Sequence, residues 1–256
     1  MSPSHDRGAP RAIILAAGRG SRLRPLTDHI PKPLVEVGGH PLITYGLGSL
    51  RDARIEDVVI NLHHLSEQVR TALGDGSRYG VRIRYSVEER LLDSGGGIRR
   101  AASLFARPID GPIVVLNADV VSEIPLREVL DFHREREAMV TLVLRDDPRK
   151  EAYGVFAVDS RARIRRFLGR GARSELPEYM FASVQILSPA VLERMPDGPF
   201  SSMRGLYPEL FDQGARFFGY VYEGPWCTAD TREDLEAAER SLRRHGLPPY
   251  MEAERP

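Results

Sequence analysis

A segment rich in glycine and arginine follows the first apolar run of the chain. The run AIILA leads directly into AGRGSRLRPLTDHIPKPL, in which Gly18 and Gly20 precede Arg22, Arg24 and Lys32. Glycine lets backbone N–H groups approach an anion closely, as phosphate binding requires. The segment lacks the Gly-Lys-Ser/Thr sequence of a Walker loop, and a glycine loop alone is also typical of an ordinary strand-to-helix turn. The arginines and the lysine favour a phosphate-binding loop.

A carboxylate ends a second apolar run. Asp119 follows IVVLNA, where an ionised side chain is costly unless it is paired or binds a metal ion. A helix N-cap is the alternative role for this residue. His63 and His64 follow the run VVIN, but adjacent side chains at a strand end point in opposite directions, so we expect no metal site there.

The composition excludes several classes of partner. In 256 residues, Lys plus Arg number 36 and Asp plus Glu number 36, so no basic field attracts a nucleic acid or an acidic membrane. No apolar run approaches the ~20 residues that cross a bilayer. The single cysteine, Cys227, excludes an intramolecular disulfide, and because no charged region followed by an apolar region opens the sequence, we expect no secretion signal. We therefore expect a cytoplasmic protein with no membrane partner.

Strand and helix patterns alternate through the first half of the chain. The predicted strands AIILA, VVIN, VRIRYS, IVVL and MVTLVL are separated by predicted helices near residues 42–53, 66–73, 96–104 and 125–137. This order predicts a Rossmann-like three-layer α/β/α sandwich with a mixed, mostly parallel central sheet, whose ligands bind at the carboxyl ends of the strands. After about residue 147 the shorter runs GVFAV, RIRRF and MFASVQIL predict antiparallel strands around a pocket in a smaller lobe. A strand at FFGYVY and a helix over residues 232–243 close the chain.

Several motifs in one order resemble those of the sugar-phosphate nucleotidyltransferases. These are AIILAAGRGSRLRPLTDHIPKPLVEVGGHPLI, LLDSGGGI, VVLNADV, YGV and PWCTADTREDLEAAE, which together extend from residue 11 to about residue 242. The resemblance implies an enzyme of the EC 2.7.7 type, which transfers a nucleoside monophosphate from an NTP to a sugar 1-phosphate with Mg²⁺ and releases pyrophosphate. It implies one domain over residues 1–256, with a nucleotide-binding part at 11–146, an acceptor-binding lobe at 147–222 and a metal motif with the closing helix at 223–245.

The resemblance also implies roles for individual residues. Backbone groups of Leu15, Ala16, Ala17 and Gly18 would hold the base and ribose, while Gly20, Ser21 and Arg22 would wrap the β and γ phosphates. Lys32, between two prolines, corresponds to the lysine that faces the transferring phosphate, where a fixed ammonium stabilises developing charge. Asp119 corresponds to the first magnesium ligand. Arg22, Lys32 and Asp119 are therefore the predicted catalytic residues.

The closing motif departs from the family pattern. The usual second metal-binding aspartate falls on Thr228, while Asp230 stands two residues later in place of glycine. Residues i and i+2 of an extended strand point to the same face, so Asp230 is the predicted second magnesium ligand beside Asp119. Family members that act on phosphocholine are similar in carrying an acidic residue here. The alternative is that Asp230 caps the last helix and the metal site is weakened.

Base and acceptor contacts are less completely marked. Gly95, Gly96 and Gly97 are expected in a flexible loop, before a helix, that packs against the base. Glu88 or Glu89 is expected to accept hydrogen bonds from the base edge. Asn117 and Gly154 are the predicted acceptor contacts. The family's acceptor-phosphate lysine is absent, because RRFLGR replaces the usual F-x-E-K-P, and the candidates for its replacement are Lys150, Arg166 and Arg170.

The substrates remain open at this stage. LLDSGGGI is most similar to the N-acetylmuramate 1-phosphate uridylyltransferase and the heptose or mannose 1-phosphate guanylyltransferase types, which favours UTP or GTP with a sugar 1-phosphate. A phosphocholine cytidylyltransferase and a catalytically weak regulatory subunit that binds nucleotide sugars are the alternatives. A dinucleotide-binding oxidoreductase is disfavoured because GRGSR lacks a third glycine. An oligomer is possible, and a hexapeptide-repeat domain is not expected.

Overall fold

The predicted alternation of strands and helices is present in the computed structural model, which describes residues 8–171 and 175–252. The strands are β1 (Arg11–Leu15), β2 (Glu36–Val37), β3 (His40–Pro41), β4 (Asp57–Leu62), β5 (Arg82–Val87), β6 (Ile113–Asn117), β7 (Val120–Ser122), β8 (Val140–Arg145), β9 (Val155–Val158), β10 (Ile164–Phe167), β11 (Glu178–Leu187), β12 (Phe217–Val221) and β13 (Trp226–Thr228). The α-helices are α1 (Leu42–Asp52), α2 (Ser66–Leu73), α3 (Asp93–Ala102), α4 (Leu126–Glu135), α5 (Lys150–Tyr153), α6 (Pro189–Leu192), α7 (Tyr207–Asp212), α8 (Arg232–His245) and α9 (Pro249–Glu252).

One mixed sheet organises the described residues. Strands β6, β1, β4 and β5 lie side by side in parallel, in that order, so their carboxyl ends share one edge of the sheet. β11 runs antiparallel between β6 and β8, β9 and β10 continue from its first half, and β12 pairs in parallel with β8. The parallel edge brings together the segments that follow β1 and β6, which carry the glycine segment and Asp119.

Helices cover both faces of the sheet, as the sequence predicted. Side chains of β1 alternate between two apolar layers, with Ile14 in one and Ile13 in the other. The first layer contains Leu47 of α1 and Val129 of α4, while the second contains Ile98 of α3. A strand buried on both faces explains why AIILA is apolar without alternation. The chain is therefore an α/β three-layer sandwich.

The shorter strands of the second half are antiparallel, as predicted, but they share the central sheet. The last four residues of β11, from Val184 to Leu187, pair with β6, while its first residues, Glu178 to Met180, pair with β9. A ten-residue strand is long enough to join both groups of strands, so the predicted smaller lobe is a continuation of the main sheet. No helix among the described residues combines the length and the apolar character needed to cross a bilayer.

Candidate active site

The glycine segment folds back on itself because of one glycine. Gly20 has φ 63° and precedes a short 3-10 turn over Ser21–Leu23. A Cβ on Gly20 would lie 2.9 Å from Cγ2 of Thr27 and 3.1 Å from Cβ of Lys32. The hydroxyl of Thr27 donates a hydrogen bond of 2.8 Å to the carbonyl of Gly20. Both the backbone conformation and the available space therefore require glycine here.

Buried side chains brace the end of β1. The amide of Ala16 donates to Oδ1 of Asn61 at 2.7 Å, and Nδ2 of Asn61 donates to Oε1 of Glu88 at 2.8 Å. The second carboxylate oxygen of Glu88 accepts from the amide of Leu92 at 3.0 Å, and Glu88 is only 2% exposed. Glu88 therefore holds the loops in place, and its carboxylate is not open to a base edge. Of the two predicted carboxylates, only that of Glu89 is exposed.

Two carboxylates converge on one ammonium group. Nζ of Lys32 lies 2.5 Å from Oδ2 of Asp119 and 2.6 Å from Oδ1 of Asp230. The guanidinium of Arg22 adds a second cation 3.2 Å from Asp230. The structure thus brings together four of the predicted site residues from three separate motifs. The exposed Arg24 lies apart from them and pairs with Asp28.

The pairing of β7 with β13 positions the second carboxylate. Thr228 lies opposite Val120 in this two-stranded sheet, and the amide of Ala229 donates to the carbonyl of Asp119 at 3.0 Å. This register places Asp230 next to Asp119. Helix α8 is capped by Thr231 and Asp234, which bond each other's backbone amides in a capping box, so Asp230 does not serve as the helix cap.

The charges of this cluster support one another. Burial lowers the pKa of the Lys32 ammonium, but attraction to Asp119 and Asp230 outweighs burial and raises that pKa above its ordinary value. Burial acts to raise the pKa of Asp230, but Lys32 and Arg22 together hold it below its ordinary value. Lys32 is therefore cationic and Asp230 anionic at neutral pH.

The donor set fits a magnesium ion. Mg²⁺ commonly takes one or two protein carboxylates and completes its coordination with water and substrate phosphate oxygens. Asp119 and Asp230 already face one cation, the ammonium of Lys32, which occupies the space between them. The residues that the structure describes contain no group of three or more His, Cys, Asp or Glu side chains able to hold a metal, so these two carboxylates would need substrate oxygens as partners. The rings of His63 and His64 do not share a ligand site, since they form hydrogen bonds with two different backbone carbonyls, those of Glu88 and Thr27 respectively.

Two cavities meet at this carboxylate pair. The glycine-loop cavity, of ≈ 300 Å³, is lined by Leu15, Ala16, Gly18, Arg19, Gly20, Ser21, Arg22, Lys32, Pro33, Ala118, Asp119 and Asp230. The aromatic cavity, of ≈ 240 Å³, is lined by Asn117, Asp119, Tyr153, Phe156, Leu168, Met180, Phe181, Ser183, Met203, Arg204, Trp226, Thr228 and Asp230. Asp119 and Asp230 are common to both linings. Two ligands in these cavities would therefore approach each other at the carboxylates.

The predicted flexible glycine loop at residues 95–97 is wrong. These glycines form the buried first turns of α3, which begins at Asp93. A Cβ on Gly95 would lie 2.1 Å from the ring of Phe200, and one on Gly96 would lie 2.5 Å from the carbonyl of Gly198. The amides of Gly95 and Gly96 both donate to the carbonyl of Phe200. Glycine is used here for close tertiary packing, and contact of this turn with a base stays a prediction.

The three candidate replacements for the acceptor-phosphate lysine are all engaged with carboxylates. Lys150 pairs with Asp146 at 3.0 Å, Arg166 pairs with Glu178 at 2.6 Å, and Arg170 pairs with Asp212. None of the three lines either cavity. Gly154 and Ala17 also lie outside both linings, whereas Asn117 lines the aromatic cavity, and its contact with an acceptor stays a prediction.

Sequence reasoning missed Arg204. It lies in a π-helical turn, Ser202–Leu206, and contributes to the aromatic cavity. No glycine loop, apolar strand or paired motif surrounds it in FSSMRGLYPEL, so local pattern offers no signal for it.

The nucleotidyl transferase family model matches residues 11–227 of the chain. The chain belongs to the nucleotidyl transferase family. The chain is 31% identical over 245 residues to the UTP–glucose-1-phosphate uridylyltransferase of Synechocystis sp., covering 91% of this chain and 63% of that protein. It is 34% identical over 244 residues to the mannose-1-phosphate guanylyltransferase of Mycobacterium tuberculosis, covering 93% of this chain and 66% of that protein. The chain thus spans slightly less than two thirds of the length of these curated relatives.

Solved structures share the fold of this chain. A Bacillus anthracis protein crystallised with sucrose superposes with a TM-score of 0.80 at 20% identity, covering 95% of this chain and 99% of that one. HddC from Yersinia pseudotuberculosis, complexed with GMP-PN, gives a TM-score of 0.75 at 19% identity, covering 92% and 100% of the two chains. At these identities the likeness shows the fold alone.

Proposed function

We propose that this chain transfers a nucleoside monophosphate from an NTP to a sugar 1-phosphate and releases pyrophosphate. The observation that carries the proposal is the meeting of two cavities at Asp119 and Asp230. A transferring phosphorus atom must lie where a nucleotide site and an acceptor site touch. Such a point also requires cations, which Lys32 and Arg22 supply from the glycine-loop side.

The names of the relatives support the same reaction class. The Synechocystis relative is a UTP–glucose-1-phosphate uridylyltransferase, and the Mycobacterium tuberculosis relative is a mannose-1-phosphate guanylyltransferase. Both names describe transfer of a nucleotidyl group to a sugar 1-phosphate. We therefore favour UTP or GTP as the donor for this chain.

In the proposed reaction, the protein binds and neutralises phosphate charge. Backbone groups around Gly20 and Ser21 would wrap the β and γ phosphates together with the guanidinium of Arg22. Lys32 would exchange its carboxylate partners for oxygens of the α-phosphate, where its charge stabilises the transition state. Asp119 and Asp230 would hold Mg²⁺, which when bound supplies further charge neutralisation to the phosphates.

The acceptor needs no general base. Its phosphate oxygen is already ionised near neutral pH, so the attack on the α-phosphorus requires only that the two substrates are held in line. The aromatic cavity would position that oxygen on the far side of the carboxylates from the leaving pyrophosphate. No covalent enzyme intermediate is needed in this scheme.

Neither alternative function is favoured by an observation in the structure. The regulatory-subunit alternative depends on the loss of a carboxylate at Thr228, but Asp230 supplies a carboxylate at the same centre. A choline group would need an open aromatic face. Two rings of the aromatic cavity already face guanidinium groups: Trp226 has those of Arg145 and Arg149 at 5.1 and 5.7 Å from its centroid, and Tyr153 has that of Arg149 at 5.7 Å.

The proposal is tested by measuring pyrophosphate release from each common NTP with a panel of acceptors. The panel contains glucose, mannose, heptose and N-acetylmuramate 1-phosphates and phosphocholine, with Asp119→Asn as the control in which turnover should fall. We expect release that depends on one NTP together with one sugar 1-phosphate, and a nucleotide sugar detected by mass spectrometry. Release with phosphocholine alone would support the phosphocholine cytidylyltransferase. Tight nucleotide-sugar binding without turnover would support the regulatory subunit.

A further inference from the structure

One arginine that lines the aromatic cavity has no carboxylate partner among the described residues. Arg204 is the basic residue in the lining of that cavity, and its side chain is exposed. Within residues 8–171 and 175–251, no carboxylate forms an ion pair with it. The sequence candidates Arg166 and Arg170, by contrast, are neutralised by Glu178 and Asp212. A cation without a protein counterion at the wall of a cavity is available to an anionic ligand.

The backbone that carries Arg204 is firmly held. The hydroxyl of Ser201 accepts from the amide of Arg204 at 3.2 Å, and the amide of Ser202 donates to the hydroxyl of Ser94 at 3.0 Å. Phe200 donates to the carbonyl of Leu92 at 3.0 Å and accepts from the first turn of α3. The segment is therefore held on α3 by main-chain and hydroxyl hydrogen bonds. These bonds fix the backbone position from which the Arg204 side chain extends.

The cations paired with the two carboxylates line the other cavity. Asp119 and Asp230 contribute negative charge to the aromatic cavity, while Lys32 and Arg22 line only the glycine-loop cavity. A phosphorylated acceptor entering the aromatic cavity would meet two carboxylates. A guanidinium offers paired N–H donors that match two oxygens of a phosphate, and it stays charged at every pH in which the protein is folded.

We propose that Arg204 binds the phosphate of the acceptor and replaces the lysine that this sequence lacks. The inference rests on the proposed function and names the residue that selects a phosphorylated acceptor. Arg204 acts on the acceptor side of the carboxylates, and Lys32 and Arg22 act on the nucleotide side. The two substrates are thus held by separate sets of cations.

The test compares Arg204→Gln with Arg204→Lys and with Arg194→Gln in steady-state pyrophosphate release. Arg194 is a matched control because it is also exposed, lies ten residues earlier and lines neither cavity. Because a charge-assisted bidentate pair is lost, we expect Arg204→Gln to raise the acceptor KM on the order of 10- to 100-fold. The NTP KM and the melting temperature should stay unchanged, Arg204→Lys should recover part of the loss, and Arg194→Gln should match the wild type.

An unchanged acceptor KM in Arg204→Gln overturns the proposal. So does an equal rise of both KM values or a lowered melting temperature, because either result indicates a structural role. If the wild type releases no pyrophosphate with any acceptor, the proposed function fails separately. Calorimetric binding of the same sugar 1-phosphates then tests whether Arg204 binds the acceptor phosphate. Equal affinity in the wild type and Arg204→Gln, or no binding to either protein, overturns that assignment.

Discussion

The glycine-loop cavity and the aromatic cavity are built in different ways. The first is lined largely by one continuous segment, residues 15–22, placed at the carboxyl end of β1 and latched by Asn61. The second collects side chains from six separated segments, at residues 117–119, 153–156, 168, 180–183, 203–204 and 226–230. A site made by one backbone segment leaves a contiguous motif in the sequence, whereas a site made by distant side chains does not. The reaction class is therefore easier to recognise than the acceptor.

The largest expected effect concerns the cation at the junction of the two cavities. Lys32→Ala should lower turnover on the order of 10²-fold or more while the fold is retained, because it removes charge stabilisation of the transition state. Single-turnover kinetics and circular dichroism provide the measurements. Lys150→Ala is the control, since Lys150 is the other lysine of the chain and pairs with Asp146 outside both cavities. Equal losses in the two variants would contradict a special role for Lys32.

A second prediction concerns which residue at the junction, Asp230 or Thr228, acts with Asp119 as a metal ligand. Asp230→Asn should lower turnover on the order of 10-fold or more and raise the Mg²⁺ concentration at half-maximal rate, much as Asp119→Asn does. Thr228→Ala should change both quantities little, because an uncharged hydroxyl is a poor substitute for a carboxylate. Magnesium titrations of the three variants give the ranking. A larger effect at Thr228 than at Asp230 would reverse the assignment.

A third prediction tests whether the first turn of α3 serves the acceptor side. In Gly96→Ala the new Cβ would meet the carbonyl of Gly198 at 2.5 Å, so the docked segment that carries Arg204 must shift. We expect a loss of about 1–3 kcal/mol in unfolding free energy, typical of overpacking, and a larger rise in the acceptor KM than in the NTP KM. Urea unfolding and steady-state kinetics measure the two effects.

The matched control for this variant is Gly46→Ala in the middle of α1. There the new Cβ would lie 3.6 Å from Leu116, which is ordinary contact, so helix propensity should raise stability by about 0.5–1 kcal/mol. A larger rise of the NTP KM than of the acceptor KM in Gly96→Ala would indicate that the first turn of α3 supports the nucleotide site and not the acceptor site.

The smallest expected effect concerns a bulge in β11 at the wall of the aromatic cavity. Ser183 has φ 64°, and the pairing of β11 with β8 shifts register between Phe181 and Gln185. The left-handed conformation costs about 1–2 kcal/mol for a residue with a Cβ, while glycine loses about 0.5–1 kcal/mol more chain entropy on folding. Ser183→Gly should therefore stabilise the fold by about 0.5–1 kcal/mol. In urea unfolding, Ser183→Ala is the control and should show no such gain; a destabilised glycine variant would contradict strain at the bulge.

Much of the fold followed from pattern because parallel strands buried on both faces leave continuous apolar runs. AIILA, VVIN and IVVL were all placed as strands of one parallel sheet, and their neighbours as covering helices. The position of β11 could not be obtained in this way. Its apolar pattern indicates a strand, but only its partners show that it lies between β6 and β8, and a pairing partner is not written in a strand's own sequence.

The sequence by itself determined the family, and it singled out the glycine segment and the residues Lys32, Asp119 and Asp230, because each belongs to a motif whose residue types are chemically demanding. Only the tertiary structure decided that Asp119 and Asp230 face one cation, since that depends on the register of β7 against β13. It also decided that Glu88 is a buried brace and that the glycines of α3 pack against residues 198–200. The sequence shows where carboxylates and glycines occur along the chain. The role of each depends on which atoms the folded chain places beside it.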